Sequence, residues 1–215
     1  MNIGLFGGTF NPFHNGHLGI IEHVKKTCEL EKIFLIPSAT PPHKPDINLA
    51  PANDRFDMVK KSLSGLEDFM VSDKELIRKG PSFTIDTINE FKKEYGQKTR
   101  FFLLMGSDAF LDITTWERKN QIFEAVRIII MLRGHWESYH PIVSFIDENI
   151  SKGYIFNEKN NTFSHRTKQK ILVCKVPKIE ISSTMIRERV KNNQSIKGLV
   201  PEIVEKMIKT KELYT

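Results

Sequence analysis

The sequence predicts an α/β fold, a parallel sheet with helices on both of its faces. Three observations carry that expectation. Short apolar runs of strand length recur at residues 2–6, 32–37, 69–72, 101–105, 126–132 and 171–176. Stretches with apolar residues at helical spacing lie between most of them. Glycines close the first and fourth runs, as Gly7-Gly8 and Gly106. Alternation of this kind favours parallel pairing with crossover helices.

Taken in order, residues 2–6 read as a buried strand that ends at the glycine pair. Leu18, Ile20, Ile21, Val24 and Cys28 then predict an amphipathic helix over 16–28. Residues 32–37 (KIFLIP) read as a second buried strand, and the Pro-, Ala- and Asn-rich stretch 38–52 as a loop. A helix over 53–64 with Met58 and Val59 inside precedes a third strand at 69–72. Gly80-Pro81-Ser82 introduces a helix over 84–95, followed by the fourth strand. Residues 116–125 read as helix and 126–132 as the fifth strand. The polar stretch 134–170 breaks the rhythm and is expected to be an inserted excursion, partly helical or hairpin-like. After the strand at 171–176, helices over 183–192 and 201–209 form a small C-terminal helical element within 183–215. One domain over 1–215 suits the length.

Composition narrows the class. The chain is 40% hydrophobic and 27% charged, which is ordinary for a globular protein and excludes a disordered or collagen-like one. The net charge of +6 comes with no RNA-binding signature, so a nucleic-acid partner is not expected. Cys28 and Cys174 stand far apart along the chain and outside any CxxC pair, as reduced core residues of a reducing compartment would. Residues 1–6 lack the charged start of a targeting segment, and the apolar run 128–132 is far short of the ~20 residues that cross a bilayer. A cytoplasmic chain without a membrane partner is expected.

The segment from Gly7 to Leu18, GGTFNPFHNGHL, lies between the first strand and the first helix. In an open α/β sheet that crevice is where ligands bind. Gly7 and Gly8 let backbone N–H groups approach a phosphate, and the helix N-terminus adds unpaired donors and a positive dipole end. His14 and His17, three apart, fall on one face and can donate to a phosphate, with Gly16 leaving room beside them. The HxxH spacing could also bind zinc, yet no further ligand stands nearby and no HExxH is present. GxxxxGK[ST] and GxGxxG are both absent.

Near the other end, Ile181-Ser182-Ser183-Thr184-Met185-Ile186-Arg187 reads as a strand-to-helix junction with Ser183 or Thr184 as N-cap. Arg187 then falls in the first helical turn, against the dipole. A cation held there beside three hydroxyls suits an anion at that helix end, and triphosphate is the obvious one.

Together these segments resemble the HxGH and ISSTxxR motifs of the nucleotidylyltransferase superfamily. The closer resemblance is to bacterial nicotinate-nucleotide adenylyltransferases. GGTFNPFHNGHL is nearly that family's opening, and Pro41-Pro42-His43-Lys44, Ser82-Phe83-Thr84-Ile85-Asp86-Thr87, Gly106-Ser107-Asp108, Trp116 and the ending from Leu199-Val200-Pro201 to Leu213-Tyr214 follow in the family's order. Phe83 stands where the family often has Tyr, Asn11 where Asp is frequent, and 134–170 is longer than the resemblance leads one to expect.

The resemblance implies a Rossmann-like doubly wound sheet and transfer of an adenylyl group from ATP to nicotinate mononucleotide, giving deamido-NAD and pyrophosphate. It implies catalytic roles for His14, His17 and Arg187. ATP would meet Gly7, Gly8, Thr9, Phe10, Gly16, Gly106, Asp108, Ser182, Ser183 and Thr184. Thr84 and Trp116 would contact the nicotinate group, with Lys44 and Arg133 candidates for the mononucleotide phosphate. Magnesium would be held mainly by ATP phosphates, with no protein metal ligands. Nicotinamide mononucleotide and phosphopantetheine are the alternative acceptors. His14, PPHK and Trp116 argue against the pantetheine enzyme. The absence of a KMSKS-type loop argues against a synthetase fragment, and the intact motif residues argue against a non-catalytic sensor. A homo-oligomer is compatible with the sequence, which does not reveal the oligomeric state.

Overall fold

The computed structural model describes residues 1–39, 49–96, 98–133 and 139–215. The helices are α1 (Asn15–Thr27), α2 (Ala52–Ser62), α3 (Lys74–Ile77), α4 (Thr84–Tyr95), α5 (Ser107–Leu111), α6 (Lys119–Ala125), α7 (His140–Asn149), α8 (Ser183–Lys191) and α9 (Glu202–Thr210), with a 3-10 turn at Ile113–Thr115. The strands are β1 (Asn2–Gly8), β2 (Lys32–Pro37), β3 (Phe69–Val71), β4 (Arg100–Gly106), β5 (Arg127–Arg133), β6 (Ile155–Asn157), β7 (Thr162–Ser164) and β8 (Ile171–Val176).

The strands are ordered β3-β2-β1-β4-β5-β8-β7-β6. Parallel pairing joins β2 to β3, β1 to β4, β4 to β5 and β5 to β8, while β6–β7 and β7–β8 are antiparallel. From β1 the chain continues to β2 on one side and reaches β4 on the other, so the order reverses at β1/β4. The carboxyl ends of strands at such a switch point are where open α/β sheets hold ligands. β1 ends there at Gly7-Gly8.

The chain forms two compact units. One comprises Met1–Phe6, Val24–Glu31 and Phe83–Lys178. Its centre is β5, where Ile128 to Leu132 are all inaccessible, the continuous apolar run expected of a parallel strand covered on both faces. Phe91, Phe110, Ile122, Phe123 and Ile146 fill the same unit, each large side chain worth about 1.5–3 kcal/mol on burial. In 134–170 the described residues form α7 and the β6–β7 hairpin, which extends the sheet past β8. Cys174 is buried but Cys28 only half so, and their thiols share a hydrogen bond that, with burial, pushes Cys28 up. Distance along the chain hides that meeting.

The second unit comprises Gly7–His23, Lys32–Ser82 and Ile179–Thr215. Ile186 of α8, Met58 of α2 and Val204, Met207 and Ile208 of α9 pack with Ile196, Val200 and Ala50 in one cluster. α8 and α9 are the helices expected within 183–215, and they pack on α2 in this unit.

Three expectations give way to the tertiary structure. The helix expected from 116 begins at Lys119, because Arg118 adopts a left-handed conformation (φ 51°) and Trp116 is extended (φ −77°, ψ 140°). The cap of α8 is Ser182, not Ser183 or Thr184; its extended backbone lets Oγ accept the Met185 N–H at 3.1 Å. Arg187 is therefore the fifth residue of the helix rather than part of its first turn. The short elements α3, α5 and the 3-10 turn span too few residues to show a period in sequence.

Candidate active site

The turn that follows β1 is held in an unusual shape by its aromatic residues. Phe10 has φ 47°, a conformation that costs a non-glycine residue about 1 kcal/mol or more. Its ring lies against Gly8, where a Cβ would meet ring carbons at 2.9–3.3 Å, so a side chain at that position would have to displace the ring. The ring also contacts Phe13 (5.9 Å) and His17 (5.2 Å) edge-on. Gly7 is exposed, and a Cβ there would meet nothing within 4 Å.

His14 and His17 form one device. His14 precedes α1 and its carbonyl accepts the His17 N–H at 2.9 Å, which makes it the N-cap. The His17 N–H also reaches His14 Nδ1 at 3.3 Å, and the His14 N–H reaches His17 Nδ1 at 3.3 Å. This is a capping box built from two histidines in place of Ser and Glu. With each Nδ1 accepting, the neutral ring carries its proton on Nε2 and presents an N–H donor there. The rings stack at 3.6 Å, with Phe13 stacked on His17 at 5.5 Å. Gly16 serves this arrangement. A Cβ at Gly16 would meet His14 Nδ1 at 3.0 Å and Ile181 at 3.4 Å, so the room beside the helix is filled by His14 itself.

Helix α8 is fastened to the same turn. Ser183 Oγ donates to the Pro12 carbonyl at 2.9 Å, and Arg187 Nη1 donates to the Asn11 carbonyl at 2.9 Å, across 171 and 176 residues of chain. This carbonyl helps to hold Arg187, which lies beyond the first turn, where the helix dipole fades. Arg187 and the exposed Thr184 line a cleft with Glu188, Lys191, Tyr214 and Thr215. The two motifs therefore meet within one unit. Their donors are the chemistry of anion binding, and among the described residues no group of three His, Cys, Asp or Glu could hold a metal.

The other sequence-derived residues belong to the first unit, apart from Lys44, which lies outside the described residues. Thr84 is the first residue of α4; its cap position is Phe83, with no side-chain bond, so Thr84 is not the N-cap. Asp86 of the same turn is paired with Arg118 at 2.7 Å. Trp116 is half-buried and outside any helix, so it is not core. Gly106 ends β4, and Asp108 sits in the first turn of α5, its carboxylate against Gly106, without capping that helix. Arg133 is exposed at the end of β5.

Residues 5–189 match the cytidylyltransferase-like family model. A protein of Geobacter sp. strain M21 named "Probable nicotinate-nucleotide adenylyltransferase" is 35% identical over 214 residues, covering 100% of this chain and 98% of the relative. One of Thermoanaerobacter sp. strain X514 with the same name is 36% identical, covering 100% and 94%. The chain belongs to the nicotinate-nucleotide adenylyltransferase family. Membership makes it a nucleotidyltransferase, and GGTFNPFHNGHL and ISSTMIR are the segments that announce it. A solved structure of Plasmodium falciparum nicotinic acid mononucleotide adenylyltransferase, complexed with NaAD, shares the fold at a TM-score of 0.75 and 19% identity, covering 99% of this chain and 97% of that one. No helix among the described residues is long and apolar enough to cross a membrane.

Sequence reasoning missed the parts that Arg55, Asn11 and Tyr214 play in holding this turn. Arg55 on α2 is fully inaccessible and donates to the carbonyls of Thr9 (2.8 Å), Ser38 (2.7 Å), Ala39 (2.9 Å) and Ala50 (3.0 Å). Burial pulls its pKa down from the usual guanidinium value. Asn11 accepts on its side-chain oxygen from Ala50 N (3.0 Å) and Tyr214 O–H (2.8 Å). One signal was legible: Arg55 stands at i−3 and i−4 from Met58 and Val59, on the buried face of its helix.

Proposed function

We propose that this chain carries out its family's reaction, transfer of the adenylyl group of ATP to nicotinate mononucleotide, through the turn at 7–17 and the start of α8. The observation that supports it most is the two-histidine capping box fastened to Arg187 and Ser183. Both rings carry Nε2–H in the unit that also holds Arg187, a donor set for a polyphosphate.

A phosphate oxygen of the mononucleotide attacks the α-phosphorus of ATP. One P–O bond forms, the α–β bridge breaks, and pyrophosphate leaves with the electron pair. The attacking phosphate is ionised at neutral pH, so no general base is required. His17, half-exposed, and the more buried His14 donate to the phosphate chain, and Arg187 with Thr184 meets its β- and γ-end. Catalysis is then positioning and charge stabilisation. Gly7, Gly8, Thr9 and Phe10 line the nucleotide crevice, with Gly106 and Asp108 as further ATP contacts. Magnesium would be held mainly by the ATP phosphates and would supply charge neutralisation there.

Trp116 stacks on the nicotinate ring, and backbone N–H groups beside Thr84 donate to its carboxylate. Asp86 is the nearest anion in that turn, and its pairing with Arg118 keeps its charge from standing alone against a carboxylate. Arg133 and Lys44 are assigned to the mononucleotide phosphate. Residues 1–215 act as a single nucleotidylyltransferase domain, with 134–170 an insertion and 183–215 its helical subdomain. Free Cys28 and Cys174 suit a cytoplasmic setting.

Pyrophosphate release from the purified chain, ATP, magnesium and either mononucleotide tests this. Release with nicotinate mononucleotide is expected. No release with either acceptor sinks the enzyme reading, and preference for the amide sinks the acceptor. For His17→Ala, a kcat within about threefold of wild type would exclude the phosphate role given to His17.

A further inference from the structure

Asn11 lies in the phosphate-binding turn, 3% exposed, between the strained Phe10 and His14. Three segments hold it. Its side-chain oxygen receives Ala50 N–H and Tyr214 O–H, which fills both lone pairs. Its carbonyl receives Arg187. Ala50 is held twice over, because its own carbonyl accepts from Arg55 Nε, and the same guanidinium donates to the carbonyl of Thr9, two residues before Asn11. Thr9, Arg55, Ala50 and Asn11 thus close a ring of hydrogen bonds. Tyr214, the residue before the last, enters that ring from outside and lines the cleft beside Arg187.

We propose that Tyr214 is a positioning residue for adenylyl transfer: through Asn11 it sets the carbonyl that aims Arg187, with Arg55 as the rigid frame. The inference rests on the phosphate roles assigned above. It gives the end of the chain a part in catalysis although Tyr214 touches no reacting atom. Loss of the phenol takes one of the two donors from Asn11 Oδ1 and loosens the brace on the turn that carries the Asn11 carbonyl. Arg187 then loses its aim while the acceptor's contacts are untouched. Burial pushes the phenol's pKa up, although Arg187 and Arg55 pull the other way, so the hydroxyl remains a donor throughout the working range.

The test uses the full chain with ATP, magnesium and nicotinate mononucleotide, and compares Tyr214→Phe, Asn11→Ala and the double variant in kcat, KM and thermal midpoint. Tyr214→Phe should lower kcat about tenfold with the mononucleotide KM within about twofold. In the double variant the phenol should cost nothing beyond Asn11→Ala, since both act through one contact. Asn11→Asp, which keeps the accepting oxygen, should recover most of the kcat lost in Asn11→Ala. An unchanged kcat in Tyr214→Phe, with or without a lower midpoint, overturns the proposal, as do losses that multiply in the double variant. Failure of the underlying reading looks different: the wild type releases no pyrophosphate, or His17→Ala is as fast as wild type.

Discussion

Replacing Gly16 by Ala separates folding from function at this site. Gly16 is the second residue of α1, where Ala is the better helix former by about 0.5–1 kcal/mol. The new Cβ would lie 3.0 Å from His14 Nδ1 and 3.1 Å from Cε1, where ordinary contact begins at 3.4 Å. The imidazole must therefore retreat by about 0.4 Å, the difference between those limits. The atom pushed is the one that accepts the His17 N–H at 3.3 Å, already long, so that bond is lost at about 1 kcal/mol. Crowding adds about 1–3 kcal/mol. Against the gain in helix propensity, the net loss of stability is about 1–3.5 kcal/mol, which most domains survive. Activity should fall much further, because both Nε2–H donors are turned from their line, and a misaimed group costs about 10²-fold. Denaturant unfolding measures the first effect and pyrophosphate release at saturating substrates the second. A folded Gly16→Ala variant with kcat within about threefold of wild type would refute the claim that the glycine exists for the histidine pair.

Other expectations follow from the same geometry. Gly7→Ala should leave stability within about 0.5 kcal/mol, as no protein atom lies within 4 Å of the added methyl, but should raise the KM for ATP at least about tenfold if the nucleotide approaches that backbone; an unchanged KM removes Gly7 from the site. Arg55→Leu should cost about 3–5 kcal/mol by leaving four carbonyls without their donor, and a shift in unfolding free energy below about 1 kcal/mol would show that they rearrange freely. Burial raises the pKa of Tyr154 and Tyr214, so the folded chain keeps protons that the unfolded chain loses. Stability should then fall as pH rises above about 10, and Tyr214→Phe should make that fall shallower by about 1.4 kcal/mol per pH unit; an identical alkaline slope in the variant would contradict the burial of the phenol.

The outline of the fold was legible because it depends on local periods. The runs at 32–37 and 171–176 and the helix over 84–95 stand where they were read, and buried strands and amphipathic helices announce themselves over a few residues. Boundaries failed where single residues decide them. The left-handed Arg118 delays α6, and Ser182 rather than Ser183 caps α8, since either serine satisfies the cap rule until the backbone selects one.

The two motif segments and the family were likewise readable from the sequence alone, because residue type and spacing carry them. Only the tertiary structure decided how those residues are held. The Gly16 Cα faces an imidazole, Cys28 meets Cys174, and Asn11 receives a hydroxyl from 203 residues away. Contacts of that kind leave no period in a sequence. They arise when a closed chain must satisfy each buried polar group, and the donor that does so can come from any part of it.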